Sequence, residues 1–191
     1  MSIMIDTVIA EALEVLKRGG VMLYPTDTVW GIGCDATNEA AVARVFEIKR
    51  RSEAKSLVLL ACDLDMVAKH VKEIPNIAID LVEVNDAPMT IIYPGAQYLA
   101  PNVVAEDGSV GIRIPLNEFC VKLVRRLRRP LVSTSANISG EETPGGFAEI
   151  SPEIVSAVDY VVPAALERDS TGRASQIIKL GLRGEVEIIR P

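Results

Sequence analysis

Short apolar runs alternate with amphipathic stretches along most of the 191 residues, and this alternation constrains the fold more than any other feature. Asp6 precedes a stretch to Arg18 whose apolar positions Val8, Ile9, Ala12, Leu13 and Leu16 fall on one helical face, with Gly19-Gly20 as the stop. Val21 to Tyr24 reads as a buried strand that Pro25 ends, because proline cannot donate to a ladder. A helix follows over about 38–50, capped by Asn38, with Val42, Val45, Phe46 and Ile48 inward. Ser56 to Ala61 reads as a strand, Asp63 and Asn76 open helices through Val71 and Val84, and Met89 to Tyr93 is a strand. A polar loop over 101–108 leads to a strand over 109–114, and Asn117 caps a helix to Leu127. Leu131 to Thr134 is a strand that opens into Ser135-Ala136-Asn137-Ile138-Ser139-Gly140, and 141–150 is loop. Ser151-Pro152-Glu153 starts a short helix, with proline at its first position. A short strand over 160–162 precedes a closing hairpin, with strands over 175–180 and 185–189 joined by a glycine turn. Helices alternating with strands, then strands alone, predict an α/β fold: a twisted mixed sheet, partly parallel, finished antiparallel and flanked by helices. No repeat or linker divides it, so residues 1–191 read as a single domain.

A net charge of −6 disfavours binding along a nucleic-acid backbone as the main activity. The cations are clustered instead, at Lys49, Arg50, Arg51 and Lys55, and again at Arg125, Arg126, Arg128 and Arg129. A local positive pocket in an acidic chain suits a small anionic ligand. The second cluster reads more simply as a solvated helix end whose charges complement the dipole. No run approaches the ~18 apolar residues of a membrane span, and the N-terminus has no secretory pattern. The three cysteines Cys34, Cys62 and Cys120 fit no zinc spacing and read as reduced thiols of a cytoplasmic protein.

The single histidine, His70, lies far from any polar motif, so a Ser-His-Asp or Cys-His arrangement is disfavoured. The Walker pattern is absent, and Gly31-Ile32-Gly33-Cys34-Asp35-Ala36 matches the dinucleotide fingerprint without the strand and helix that motif needs. What remains is polar residues at strand exits. Thr26 and Thr28 follow the Tyr24-Pro25 strand end, with Gly31 and Gly33 open to close ligand approach, or the whole is a satisfied turn. Ser133, Ser135, Asn137 and Ser139 read as an anion cradle or as a capped turn. Lys49 and Arg51, two apart, reach one ligand only if the helix ends there. Arg113 is a lone cation in an apolar strand and, without a ligand, an outward-facing residue. Together these groups offer many anion donors and no base or nucleophile, which suits phosphoryl or adenylyl transfer.

With these residues in place, the chain resembles the YrdC/YciO family of threonylcarbamoyl-AMP synthases over most of its length. The matching segments are Tyr24-Pro25-Thr26-Asp27-Thr28-Val29-Trp30-Gly31, Lys49-x-Arg51, Pro88-Met89-Thr90-Ile91-Ile92, Arg113-Ile114-Pro115, Ser135-Ala136-Asn137-Ile138-Ser139-Gly140 and Ser175-Gln176-Ile177-Ile178. The resemblance implies a deep, positively lined cavity and the synthesis of threonylcarbamoyl-AMP and pyrophosphate from L-threonine, bicarbonate (or CO2) and ATP. It also implies Mg2+ carried by the phosphates and a separate transferase that modifies tRNA. By position, Lys49, Arg51, Ser135 and Asn137 would hold the ATP phosphates and the reaction centre. Lys55, Thr90, Thr143 and Arg190 would be further ATP contacts, and Thr28, Arg113, Ser133 and Ser175 would recognise threonine. The chain departs from the usual family pattern at Ser52, Ser56, Asp86-Ala87, Ile138 and Gln176, and ending at Pro191 it matches the short, single-domain form. The reading from another class is a non-catalytic relative that binds nucleotide, tRNA or double-stranded RNA. An oxidoreductase reading rests on the glycine match alone.

Overall fold

The computed structural model describes residues 2–52, 57–168 and 170–191. Six α-helices are present among them: α1 (Ser2–Lys17), α2 (Glu39–Ile48), α3 (Leu64–His70), α4 (Asn76–Val84), α5 (Glu118–Leu127) and α6 (Pro152–Ala157). The strands are β1 (Met22–Tyr24), β2 (Gly31–Gly33), β3 (Val58–Leu60), β4 (Met89–Tyr93), β5 (Val110–Arg113), β6 (Leu131–Ser135), β7 (Tyr160–Val161), β8 (Gln176–Leu180) and β9 (Val186–Arg190). They form one mixed sheet in the order β7-β1-β2-β6-β3-β5-β4-β8-β9. The pairs β1–β7, β3–β5 and β4–β8 are parallel and the other five antiparallel, with β8–β9 as the closing hairpin.

Capping follows local chemistry. Asn38, Asp63 and Asn117 each accept from the backbone N–H three residues on, opening α2, α3 and α5. Ser151 does the same for α6 from Glu153, with Pro152 at the first position. Two expectations are corrected. First, α1 begins at Ser2, not after Asp6. Asp6 lies inside the helix, and its carboxylate pairs with Arg126 at 2.6 Å, so a tertiary partner explains an acid that looks like a cap. Second, the stretch read as loop contains β2. Glycines weaken an isolated strand, but here a β-carbon on Gly33 would lie 2.1 Å from the Val132 carbonyl oxygen and 2.8 Å from the Tyr24 ring. The fully buried Tyr24 ring crosses β2 to donate its hydroxyl to Val132 O at 2.9 Å. Gly33 therefore makes room for a tyrosine, not for a ligand.

Register divides the sheet into two faces. Leu23, Ile32, Leu59, Ile91, Ile112 and Val132 alternate onto one face, all buried, and share a core with the apolar sides of α1, α2 and α5. Gly31 pairs with Ser135, Val58 with Ser133 and Gly111, Thr90 with Arg113 and Ile177. Paired residues point the same way, so the polar positions of β4, β5 and β6 converge on the second face. The basic end of α5 is spent on the surface, with Arg126 on Asp6, Arg129 on Asp35 and Arg125 near Asp63.

Candidate active site

The second face carries a cleft of about 240 Å³ whose polar lining is Thr28, Arg51, Arg113, Ser133, Ser135 and Ser175, with Arg190 at its edge strand. Past Leu57, Val58 and Ile177 it continues into a groove of about 480 Å³ floored by Ile92, Gly111 and Ile189. A larger hollow of about 640 Å³ lies beyond Asp27, but its walls are largely apolar, with Asp86 and Glu118 beside a single cation, Arg168. Chemistry, not size, marks the cationic cleft as the site for an anion.

The cation pair after α2 is delivered by a helix end. Arg50 N–H donates to Glu47 O and Arg51 N–H to Phe46 O, both at 2.9 Å, and Arg50 takes the left-handed φ of +50°. This is a Schellman turn with arginine where glycine is usual. It breaks the helical spacing, so that Arg51 lines the cleft while Lys49 turns beneath the Ser135–Asn137 loop. Lys49 is 2% exposed, and its Nζ donates to Ser135 O at 2.5 Å, Asn137 O at 2.7 Å and Asn137 Oδ1 at 3.4 Å. Ser139 N–H returns a bond to Lys49 O at 2.8 Å. The ammonium thus fastens the hydroxyl loop instead of pointing into the cleft. Burial first, then the charge of Arg51, pulls its pKa down to about 8. Asn137 spends its amide within the loop, donating to Glu141 O at 2.9 Å.

Arg113 does not face outward. It is 3% exposed, and its Nη1 meets Asp27 Oδ1 at 2.5 Å while Nη2 donates to Thr28 Oγ1 at 3.2 Å. The other Asp27 oxygen accepts from Leu116 N–H at 3.0 Å. The two readings of the threonine pair divide between its members. Thr26 is internal, donating to Val29 O at 2.8 Å and accepting from Thr28 N–H at 3.0 Å. Thr28 lines the cleft. Ser170 Oγ donates to Thr28 O, and Gly172 N–H donates to the same oxygen at 2.9 Å, so the approach to Ser175 is strapped onto the threonine loop. Thr90 is bonded through its hydroxyl to Ser175 Oγ at 2.8 Å. Arg190 Nε donates to Ser175 O at 2.8 Å. Burial lowers the pKa of both Arg51 and Arg190, Arg190 further through Arg113.

The cleft therefore gathers Thr28, Arg51, Arg113, Ser133, Ser135, Ser175 and Arg190. Lys49 and Asn137 stand one layer behind it, and Thr90 lines the adjoining groove. Thr143 is exposed on the 141–146 loop, and Lys55 lies outside the described residues. His70 is elsewhere, 3.4 Å from Gln97 O. Asp27 is the residue that sequence reasoning missed. A buried carboxylate and a lone arginine in an apolar strand each need a partner, and matching the two orphans would have found the pair.

A twisted mixed sheet bearing a cleft of arginines and hydroxyls defines an anion-binding α/β protein. Residues 14–191 match the Sua5/YciO/YrdC family, which is described under the heading telomere recombination. The chain belongs to this family. It is 33% identical to the threonylcarbamoyl-AMP synthase of Hahella chejuensis over 159 residues, covering 83% of this chain and 86% of that one. Among solved structures it superposes on P. abyssi Sua5 complexed with L-threonine with a TM-score of 0.80 and 26% identity, covering 90% of this chain and 50% of that one. It thus spans about half the length of that archaeal protein. E. coli YciO shares the fold, with a TM-score of 0.79 at 23% identity over 96% of this chain and 88% of that one.

Proposed function

We propose that this chain is an enzyme, a threonylcarbamoyl-AMP synthase of nucleotidyltransferase type. L-threonine and bicarbonate give N-carboxythreonine and water. A carbamate oxygen then attacks the α-phosphate of ATP, and the bond to the bridging oxygen breaks to release pyrophosphate. The observation that carries this reading is the convergence of three arginines and several hydroxyls on one cleft. The nucleophile is already an anion, so the step needs positioning and charge neutralisation more than a base. Arg113 receives the threonine carboxylate, for which a guanidinium fork is suited, with Thr28, Ser133 and Ser175 around the amino acid. Arg51, Arg190 and Ser135 face the phosphates, while Thr90, Thr143 and Lys55 are further nucleotide contacts. Lys49 acts as a buried charge that also fixes the Ser135–Asn137 loop. Magnesium enters with ATP, chelated by its phosphates.

The names of the curated relatives and the threonine complex of the archaeal Sua5 support the same reading. The product would pass to a transferase that modifies tRNA, in the cytoplasm. No helix among the described residues is long and apolar enough to cross a membrane. The test is pyrophosphate release from MgATP with bicarbonate, with and without L-threonine, and with serine for comparison. Release that needs both threonine and bicarbonate is expected. Tight nucleotide or RNA binding without release would instead support the non-catalytic reading.

Lys49 sets the pH dependence. Above its pKa of about 8 the ammonium is lost in the free protein, while bound phosphates favour the charged form. Affinity for α,β-methylene-ATP is therefore expected to fall as pH rises through that value, by up to tenfold per pH unit. A calorimetric profile that stays flat from about pH 7 to 10 would remove Lys49 from the nucleotide site.

A further inference from the structure

The loop over residues 25–30 joins β1 to β2 and carries Thr28 to the cleft, yet it belongs to neither strand. A second segment clamps its carbonyls. Thr171 N–H donates to Asp27 O at 3.0 Å, and Gly172 N–H donates to Thr28 O at 2.9 Å. Ser170 Oγ donates to the same Thr28 oxygen and accepts from Gly172 N–H at 3.3 Å. A carbonyl oxygen has two lone pairs, and here both are taken. Gly172 turns the segment with a left-handed φ of +65°. Of the three donors, only the Ser170 hydroxyl belongs to a side chain, so it is the one a substitution can remove. The Thr28 hydroxyl in turn meets Arg113 Nη2 at 3.2 Å and Thr26 Oγ1 at 2.9 Å.

Building on the synthase reading above, we propose that Ser170 is a positioning residue for the amino-acid subsite. Its hydroxyl fixes the Thr28 carbonyl and, through it, the side chain that Thr28 presents to the cleft. Ser170 does not itself line the cleft, so it acts through Thr28 and not on substrate. A binding constellation works when its members are held within about 0.5 Å, and a loop outside the ladders needs such a clamp. The nucleotide side is anchored separately. Arg51 is delivered by the turn after α2, Arg190 pairs with Ile177 in the closing hairpin, and Ser135 pairs with Gly31. Loss of the Ser170 hydroxyl therefore loosens threonine recognition and spares the nucleotide.

Ser170→Ala removes the donor, and Ser170→Thr keeps it. In pyrophosphate release at saturating MgATP and bicarbonate, Ser170→Ala is expected to raise KM for L-threonine about five- to tenfold. Its kcat and KM for ATP should stay within about twofold of wild type. Ser170→Thr should return KM for threonine to near the wild-type value. An unchanged KM for threonine in Ser170→Ala overturns the proposal. So does a fall in kcat with both KM values raised together, which is what general damage to the fold would give. Hydrogen exchange of the wild-type protein decides the matter if Ser170→Ala does not fold. L-threonine with bicarbonate should slow exchange of the Thr171 and Gly172 amides, and α,β-methylene-ATP alone should not. Equal exchange with and without threonine overturns the proposal. Wild-type protein that neither binds threonine in calorimetry nor releases pyrophosphate defeats the synthase reading, and the proposal falls with it. Normal wild-type turnover with an insensitive Ser170→Ala variant defeats the proposal alone.

Discussion

Replacing Arg113 by alanine is expected to lower the unfolding free energy by about 3–5 kcal/mol as well as to abolish threonine recognition. The cost to the fold arises because Arg113 and Asp27 form a pair in which each side chain is about 95% covered. Removing one partner strands the other as a buried charge, and Thr28 and Leu116 N–H lose a fixed neighbour with it. The two roles separate in a second variant. Arg113→Gln combined with Asp27→Asn removes both charges while keeping groups that can hydrogen-bond, and much of the stability should return. Threonine affinity should not, since no guanidinium remains for its carboxylate. Urea denaturation and calorimetry read the two effects apart. Stability unchanged in Arg113→Ala would mean that the pair contributes nothing to the fold. Threonine affinity restored in the double variant would take Arg113 out of the amino-acid site.

Elements with their own capping or period were legible in the sequence. Asn38, Asp63, Asn117 and Ser151 cap as their local chemistry dictates, because a cap satisfies its own helix whatever surrounds it. Asp6 misled for the converse reason: its partner, Arg126, is 120 residues away. The strand Gly31–Gly33 was hidden because its glycines serve the Tyr24 ring and the Val132 carbonyl, neither of which local propensity can register. Tertiary packing decided that segment.

The site was legible as composition but not as geometry. The alternation Ser133-x-Ser135 and the isolated Arg113 signalled one polar face, and register brought them to it. The division of labour within the Lys49-x-Arg51 motif could not be read from spacing. It depends on a left-handed Arg50 that sends one cation under the hydroxyl loop and the other to the cleft. Asp27 was concealed within a run of polar residues whose charge looked solvated. Its burial and its 2.5 Å contact identify it as the counter-ion of Arg113.

Arg51 is the residue whose loss should harm turnover most and the fold least. Burial depresses its pKa, so part of the gain from any contact of the guanidinium is offset by the cost of desolvating its charge. Such a group contributes to function at the expense of stability. In the synthase reading the phosphates engage its charge, most closely when negative charge builds on the departing pyrophosphate. Arg51→Ala is accordingly expected to cut the rate of pyrophosphate release by about 10²–10³, with unfolding free energy changed by about 1 kcal/mol or less. The fall should appear in kcat as well as in KM for ATP, because an interaction strengthened in the transition state is lost from both. Steady-state kinetics and thermal denaturation of the same preparation test this. A rise in KM with kcat intact would make Arg51 a group that binds ATP alike in ground and transition states. Unchanged kinetics would place the phosphates elsewhere in the cleft.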